Sequence, residues 1–145
     1  MSVREVLFLC TGNYYRSRFA EGLFNHLASQ LHLDWRADSR GLTLGRAETD
    51  NVGPVSTHTL EAFRHRSIPI AEPIRYPKKA TSADLTSADL IVALKEAEHR
   101  ALMRQYFPDW ERRITYWHVH DVDRAPPHLA LAEIETLVRD LMVRL

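Results

Sequence analysis

The chain has 145 residues, of which 45% are hydrophobic, so it is long enough to build one core, and we expect a single domain over residues 1–145. Its 19 basic and 19 acidic side chains give a net charge of zero at pH 7, which offers no electrostatic reason for a nucleic-acid or membrane-surface partner. The single cysteine excludes an intramolecular disulfide and a four-thiolate metal site, and without a secretory-signal pattern or a bilayer-spanning apolar run we expect a cytoplasmic monomer.

Apolar and amphipathic segments alternate along the chain, which is typical of βα units around a parallel sheet. Val6–Leu9 is a continuous apolar run that predicts a strand buried on both faces. From Ser17 to Leu31, apolar residues recur every four positions and predict a helix. The elements predicted after it are a strand at Trp35–Ser39, a helix opening at Pro54, a strand at Asp89–Leu94, a helix at Lys95–Tyr106, a strand at Ile114–Trp117 and a closing helix after Pro126 and Pro127.

The short segment between the first strand and the first helix carries the main functional signal. In open parallel sheets, ligands bind where a strand ends and a loop leads into a helix, and Cys10 lies at such an end. Backbone N–H groups of a short loop and of the first helical turn can converge on an anion, and Gly12 and Asn13 permit the backbone geometry this requires. Arg16 adds two parallel donors for an oxyanion, and with the helix terminus it favours a thiolate. On its own, C-x5-R is a weak pattern, since a lone cysteine after a strand is most often a small buried apolar residue.

The stretch V-L-F-L-C-T-G-N-Y-Y-R-S-R-F-A-E resembles the phosphate-binding loop of the low-molecular-weight protein tyrosine phosphatases, whose signature runs roughly V-L-F-V-C-x-G-N-x-C-R-S-P-x-A-E. The residues that match in place are Cys10, Gly12, Asn13, Arg16, Ser17, Ala20 and Glu21. Asp38–Gly41 and Ala88–Val92 are also similar to segments of this family, so the resemblance covers nearly the whole chain. It implies a three-layer α/β/α fold with a four-stranded parallel sheet, of flavodoxin-like type, in agreement with the order of predicted elements.

The resemblance also implies a reaction, the hydrolysis of a phosphomonoester through a cysteinyl-phosphate on Cys10. Arg16 and the loop amides would bind the three equatorial phosphate oxygens. Ser17 would donate its hydroxyl to the thiolate, and Asn13, tied to Ser39, would hold the loop in its strained shape. The phosphate-binding residues would be Thr11, Gly12, Asn13, Tyr14, Tyr15, Arg16 and Ser17. We expect a phosphorylated protein or a small phosphomonoester as substrate, and neither a cofactor nor a metal.

In this family an Asp, usually followed by Pro, serves as general acid in the loop after the fourth strand. It protonates the leaving group and later takes a proton from water. Here the region reads Y-W-H-V-H-D-V-D-R-A-P-P, in which Asp121 fits the position best although Val122 follows it, and Asp123 is the alternative. His118 and His120 could imitate a metal pair, but without a third ligand we interpret them as partly buried or pocket-lining residues.

Three features depart from the family signature. Tyr15 replaces its second cysteine, so a disulfide that would protect Cys10 from oxidation cannot form. Arg18 replaces the proline that starts the helix and adds a charge beside the pocket. The rim segment Leu42–Asn51 is longer and more polar than usual, and the paired aromatic residues that follow the general acid in the family are absent. We expect Tyr14 and Tyr15 to form the aromatic walls of the pocket in their place.

The remaining polar residues receive no functional role at this point. His58, His65 and His99 lie on predicted helices, and Tyr76–Lys79 reads as a solvated loop. Two alternative functions share the expected fold. A non-catalytic phosphate-binding or interaction module stays open, whereas a thioredoxin-coupled arsenate reductase is disfavoured because its disulfide relay needs two further cysteines.

Overall fold

In the computed structural model, which describes residues 2–44, 51–121 and 124–145, four parallel strands form the centre of the fold. The strands are β1 (Arg4–Cys10), β2 (Trp35–Gly41), β3 (Leu90–Ala93) and β4 (Thr115–Tyr116). They lie in the order β2-β1-β3-β4, and every adjacent pair is parallel. The predicted α/β class with a four-stranded parallel sheet is therefore confirmed.

The helices divide between the two faces of this sheet. In chain order they are α1 (Arg16–Gln30), α2 (Thr57–His65), α3 (Ser82–Ser87), α4 (Glu96–Tyr106) and α5 (Pro127–Val143), with a short 3-10 helix at Pro108–Trp110. Side chains of β1 alternate between two cores, Phe8 packing with α1, α2 and α5, and Leu7 and Leu9 packing with α3 and α4. The result is the predicted α/β/α arrangement of three layers. Within the described ranges, no helix has the length and apolar character needed to cross a membrane.

The loop after Cys10 lies where the sheet topology places ligand sites. The chain crosses from β1 to β2 on one side and then returns past β1 to β3 on the other, so the strand order reverses at β1 and a crevice opens at its carboxyl end. Gly41, the last residue of β2, closes one side of this loop. A Cβ atom there would lie 3.0 Å from the backbone of Gly12 and Asn13, and glycine is therefore needed for the close approach.

One prediction about a connecting segment is wrong and another is incomplete. The helix expected to open at Pro54 begins at Thr57, because the hydroxyl of Ser56 accepts a hydrogen bond from His58 N at 3.2 Å and caps the helix there. The segment Tyr76–Lys79 is not simply a solvated loop. Its side chains are largely exposed, but Lys78 O accepts a hydrogen bond from the last residue of β2 at 2.8 Å, and its backbone therefore continues the sheet edge.

The crossing of α1 and α2 yields a first prediction. A Cβ atom on Gly22 would overlap the ring of Phe63, which cannot withdraw freely because it stacks on Phe19 with the ring centroids 5.5 Å apart. The steric overlap should cost roughly 1–3 kcal/mol, whereas alanine gains ~1 kcal/mol over glycine in helix propensity. We therefore expect Gly22→Ala to lower the free energy of unfolding. Urea denaturation measures this.

The control for this prediction is the same change in a Phe63→Leu background, where the ring is absent. There Gly22→Ala should be neutral or stabilising. An equal loss of stability in both backgrounds would contradict the steric explanation.

Candidate active site

The loop between β1 and α1 turns around the thiol of Cys10. The sulfur accepts a hydrogen bond from Asn13 N at 3.2 Å and lies 2.9 Å from the hydroxyl of Ser17. Asn13 has a φ of 51°, in the left-handed region that asparagine tolerates better than most residues. Donors therefore approach the sulfur from two sides, as stabilisation of a thiolate requires.

The side-chain amide of Asn13 fixes the direction of the hydrogen bond between Ser17 and the thiol. Asn13 Oδ1 accepts hydrogen bonds from Arg75 Nη1 and from Lys78 N, both at 3.0 Å, and neither partner can accept one in return. Asn13 Nδ2 must then be the donor to Ser17 Oγ, at 2.9 Å. Because Ser17 Oγ accepts this bond, its own hydrogen can point at Cys10 Sγ and stabilise the thiolate.

Ser39, at the end of β2, anchors the other side of the same network. Its hydroxyl is fully buried, accepts hydrogen bonds from Asn13 Nδ2 at 2.8 Å and from Arg75 Nη2 at 3.0 Å, and donates to Glu21 Oε1 at 2.6 Å. The expected contact between Asn13 and Ser39 is thus present. The sequence did not predict that Arg75 takes part in this network, because Arg75 follows β2 by more than thirty residues and lies in a segment without a recognisable motif.

The carbonyl oxygens of the loop point away from the space it encloses. Those that accept hydrogen bonds from surrounding segments belong to Cys10 (from Leu42 N), Thr11 (from Thr43 N), Asn13 (from Arg18 Nη1), Tyr14 (from Ser56 N) and Tyr15 (from Thr59 Oγ1). In a planar trans peptide, the following N–H group points in the opposite direction. The N–H groups of Thr11, Gly12, Tyr14, Tyr15 and Arg16 are therefore turned away from those segments, where an anion could accept from them.

The guanidinium of Arg16 is 1% exposed and lies between two carboxylates. Its terminal nitrogens contact Glu98 at 3.3 and 3.4 Å, and Nη2 also lies 3.5 Å from Asp121 Oδ2. Nη1 donates to Val119 O at 3.0 Å. Burial lowers the pKa of Arg16, but the neighbouring anions outweigh it and raise the pKa above its usual value. The structure therefore places Asp121 beside Arg16, whereas Asp123 lies outside the described residues.

A cavity of about 280 Å³ opens above the thiol. Its lining residues are Cys10, Gly12, Tyr14, Tyr15, Arg16, Asn51, Ser56, Thr57, His58 and Asp121. The predicted nucleophile Cys10, the predicted phosphate-binding Arg16 and the preferred acid Asp121 thus border the same cavity. The cavity is large enough for a phosphate group and part of the organic group attached to it. No set of three or more His, Cys, Asp or Glu side chains in the described parts of the chain could hold a metal ion.

A family model described as low molecular weight phosphotyrosine protein phosphatase matches residues 5–145. The chain belongs to this family. The match includes every element of the sheet and the whole loop around Cys10, and it confirms the resemblance found in the sequence.

Individual relatives agree with this assignment. The low molecular weight phosphotyrosine protein phosphatase of Pongo abelii is 28% identical over 109 residues, which are 72% of this chain and 63% of that protein. The protein-arginine-phosphatase of Bacillus subtilis strain 168 is 26% identical over 110 residues, 76% of this chain and 67% of that protein. A crystal structure of a low molecular weight protein tyrosine phosphatase from T. tengcongensis is 27% identical, with a TM-score of 0.80 over 98% of this chain and 99% of that one. This likeness confirms the predicted three-layer fold.

The two tyrosines of this phosphatase-family loop occupy different environments. Tyr14 is half-buried at the cavity, and its hydroxyl donates to Val52 O at 2.5 Å. Tyr15 is 5% exposed and packs in the core, with its hydroxyl 3.4 Å from Pro127 O. Burial, with a smaller contribution from Asp121, raises the pKa of Tyr15 to about 12. Tyr14 is thus the more accessible of the two expected aromatic walls.

The histidines differ from the predictions at several points. His58 borders the cavity and packs edge-on against the Tyr15 ring, although no role was expected for it. His118 is exposed rather than partly buried, whereas His120 is partly buried as predicted. The two rings meet at 4.9 Å between centroids, in the segment after β4 whose middle residue, Val119, is buried. His65 is exposed, as a helix-surface residue without a functional role would be.

Arg18 is buried rather than a free charge beside the pocket. Its guanidinium donates to the carbonyls of Asn13 at 3.4 Å, Pro54 at 3.0 Å and Arg75 at 2.9 Å. Burial and the nearby charge of Arg75 lower the pKa of Arg18 to about 10, which still leaves it protonated at neutral pH. Arg18 therefore ties the active-site loop to two segments that are distant in sequence.

Glu98 and His99, in the first turns of α4, form a contact with the loop that the sequence did not predict. His99 is fully buried, and its Nδ1 accepts a hydrogen bond from Lys95 N at 3.0 Å. Burial lowers the pKa of His99, so its ring is neutral and the remaining proton is on Nε2, 3.1 Å from Thr11 Oγ1. Thr11 donates its hydroxyl hydrogen to Glu98. Burial raises the pKa of Glu98, but hydrogen bonds and the Arg16 charge outweigh it and hold the pKa well below the usual value.

The neutral His99 ring makes the stability of the protein sensitive to mild acid. The groups around the ring are Glu98, Arg16, Asp121 and Thr11. Near and below an ordinary histidine pKa of 6.5, the unfolded chain binds more protons at this site than the native state does, because the native pKa is lower. The contribution of His99 to the free energy of unfolding should therefore fall between pH 7.5 and pH 5.5.

Urea denaturation of wild type and His99→Gln at both pH values tests this, since the variant should lose part of the pH dependence. The depressed pKa of Glu98 matters only below its ordinary value of 4.5, outside this window. The matched control is His65→Gln, at an exposed position on α2. Equal pH dependence in wild type and His99→Gln would contradict the neutral ring.

Proposed function

We propose that the protein is a phosphomonoester hydrolase of the protein tyrosine phosphatase type, with Cys10 as nucleophile. The observation that supports this most strongly is that the Cys10 thiol, the Arg16 guanidinium and the Asp121 carboxylate line one cavity. A cysteine that only filled the core would need neither hydrogen-bond donors on its sulfur nor a buried arginine beside it.

In the first step, the thiolate of Cys10 attacks phosphorus on the side opposite the leaving group. The S–P bond forms while the bond from phosphorus to the leaving oxygen breaks. Asp121, which enters this step as the carboxylic acid, gives its proton to that oxygen and becomes the carboxylate. The products are the free alcohol or phenol and a cysteinyl-phosphate. The hydroxyl of Ser17, directed at the sulfur, keeps the nucleophile in the anionic form that this attack requires.

In the second step, the carboxylate of Asp121 takes a proton from water as the water oxygen attacks phosphorus. The S–P bond breaks, and inorganic phosphate and the thiolate are released. Asp121 suits both steps because its side chain is 40% exposed, and so it can meet the leaving group and then water.

The three equatorial oxygens of the phosphoryl group would be bound by the loop. The N–H groups of Thr11, Gly12, Tyr14, Tyr15, Arg16 and Ser17, together with the guanidinium of Arg16, would donate to them in both transition states, where their negative charge is spread over all three. The N–H of Asn13 is instead bound to the Cys10 sulfur. The side chains of Asn13 and Ser39 would act indirectly, because their hydrogen bond holds the loop in place and neither side chain would contact the substrate.

Substrates of this site would be phosphorylated proteins or small phosphomonoesters. An aryl ester fits a cavity bordered by Tyr14 and His58, and we take phosphotyrosine as the reference substrate. Because one curated relative is named for phosphotyrosine and another for protein arginine, a phosphoarginine substrate belongs in the same assay.

The nucleophile is tested by replacing Cys10. Hydrolysis of an aryl phosphate by wild-type protein should be abolished in Cys10→Ser, because a serine hydroxyl is far less ionised at neutral pH. Rapid-quench measurement of phenolate in the wild type should show a burst as the cysteinyl-phosphate accumulates. Wild-type protein that binds phosphate yet releases no phenolate would instead be a non-catalytic phosphate-binding module.

The acid is tested by Asp121→Asn, which keeps the shape of the side chain but replaces the carboxyl group with an amide that cannot act as a general acid. We expect kcat for an aryl phosphate to fall roughly a hundredfold or more, with a smaller effect for leaving groups of low pKa that depart without protonation. Asp123→Asn is the matched control. If Asp123→Asn is the damaging change, the assignment of the acid is wrong while that of the nucleophile stands.

A further inference from the structure

The arginine of the active-site loop is held by a carboxylate from a different βα unit. Glu98 Oε1 lies 3.3 Å from Arg16 Nη2, and Oε2 lies 3.4 Å from Nη1. Two parallel contacts between a planar carboxylate and a planar guanidinium fix both the position of the guanidinium and the orientation of its plane. The other contacts of the guanidinium, with Val119 O at 3.0 Å and Asp121 Oδ2 at 3.5 Å, each reach one nitrogen only.

Glu98 is itself fixed by the loop. Its Oε1 accepts the hydrogen of the Thr11 hydroxyl, and Thr11 Oγ1 accepts from the Nε2–H of the buried His99. The backbone N–H of Lys95 holds the other ring nitrogen of His99. These hydrogen bonds form a series from Lys95 N through His99, Thr11 and Glu98 to Arg16. Each hydrogen in the series has one donor and one acceptor, so the hydrogen bonds have a single arrangement.

We propose that Glu98 is a positioning residue for the phosphatase reaction, which holds the Arg16 guanidinium in the plane that binds the equatorial phosphate oxygens. Thr11 and His99 orient Glu98 for this purpose. The proposal rests on the function proposed above. Glu98 acts through Arg16 and does not itself contact the phosphoryl group.

The first test compares Glu98→Ala and Glu98→Gln with wild type, using kcat/KM for an aryl phosphate and the Kd of orthovanadate. A misplaced guanidinium should lower kcat/KM roughly 10- to 100-fold in Glu98→Ala and weaken vanadate binding at least about tenfold. Glu98→Gln should recover part of both, because its amide oxygen can still accept from one Arg16 nitrogen. Glu96→Ala is the matched control, since Glu96 is an exposed residue of the same helix turn that pairs with Arg100.

The second test asks whether Glu98 acts through Arg16. In an Arg16→Ala background, Glu98→Ala should have no further effect on the Kd of orthovanadate. A residue that served only the stability of α4 would have the same effect in both backgrounds. Thermal unfolding of each variant shows whether it is folded, and the isosteric Glu98→Gln keeps the comparison usable if Glu98→Ala unfolds.

The outcomes separate this proposal from the proposed function. Wild-type values of kcat/KM and vanadate Kd in Glu98→Ala would overturn the positioning role alone, as would an equal effect of Glu98→Ala with and without Arg16. A wild-type protein that binds vanadate but hydrolyses no aryl phosphate would overturn the phosphatase function, and vanadate affinities would still decide the role of Glu98. Failure of the wild type to bind vanadate would overturn both.

Discussion

Asn13 holds a left-handed backbone conformation at the tightest point of the active-site loop, and both ends of its side-chain amide are bound. Two donors meet its oxygen, and its nitrogen donates to two hydroxyls. Such a conformation persists only where the surroundings determine it, and here the amide satisfies that condition. The same contacts direct the Ser17 hydroxyl at the Cys10 thiol. The shape of the loop and the activation of the proposed nucleophile therefore depend on the same side chain.

Two partly exposed carboxylates, Asp121 and Glu98, contact the buried guanidinium of Arg16. Both reach its Nη2 atom, and Glu98 also reaches Nη1. An arginine as buried as Arg16 needs an anion beside it, because removing an unpaired charge from water is strongly unfavourable. Glu98 supplies that anion through two contacts with the guanidinium, and Asp121 adds a third. In the proposed reaction, a phosphoryl group would add further negative charge beside Arg16 and the loop amides.

The sequence predicted the residues that lie in segments similar to the family, including the distant Ser39 and Asp121, and missed those in segments without a motif. The strand, the loop and the helix around Cys10 are continuous in the chain, so a short motif contains their residue types and spacing. Arg75, Glu98 and His99 reach the loop from 62 to 88 residues away, and their positions follow from the sheet order and the crossovers. Histidine and glutamate on an amphipathic helix normally indicate a solvated surface. The pairing of β3 with β1 brings the start of α4 to the loop, and this is why Glu98 and His99 contact the site rather than solvent alone.

Arg18 shows how the chain keeps a rigid loop after losing the proline that the family signature places in the first turn of the helix. A proline restricts the backbone locally by fixing φ. Arg18 restricts it from outside, through hydrogen bonds to carbonyls of the loop, of the segment before α2 and of the segment after it. Its positive charge lies close to that of Arg75, an unfavourable pair that Glu21 partly offsets through its contact with Arg75. The rigidity of the loop thus depends on two buried or half-buried cations and one carboxylate, and it is more sensitive to the packing of distant segments than a proline would make it.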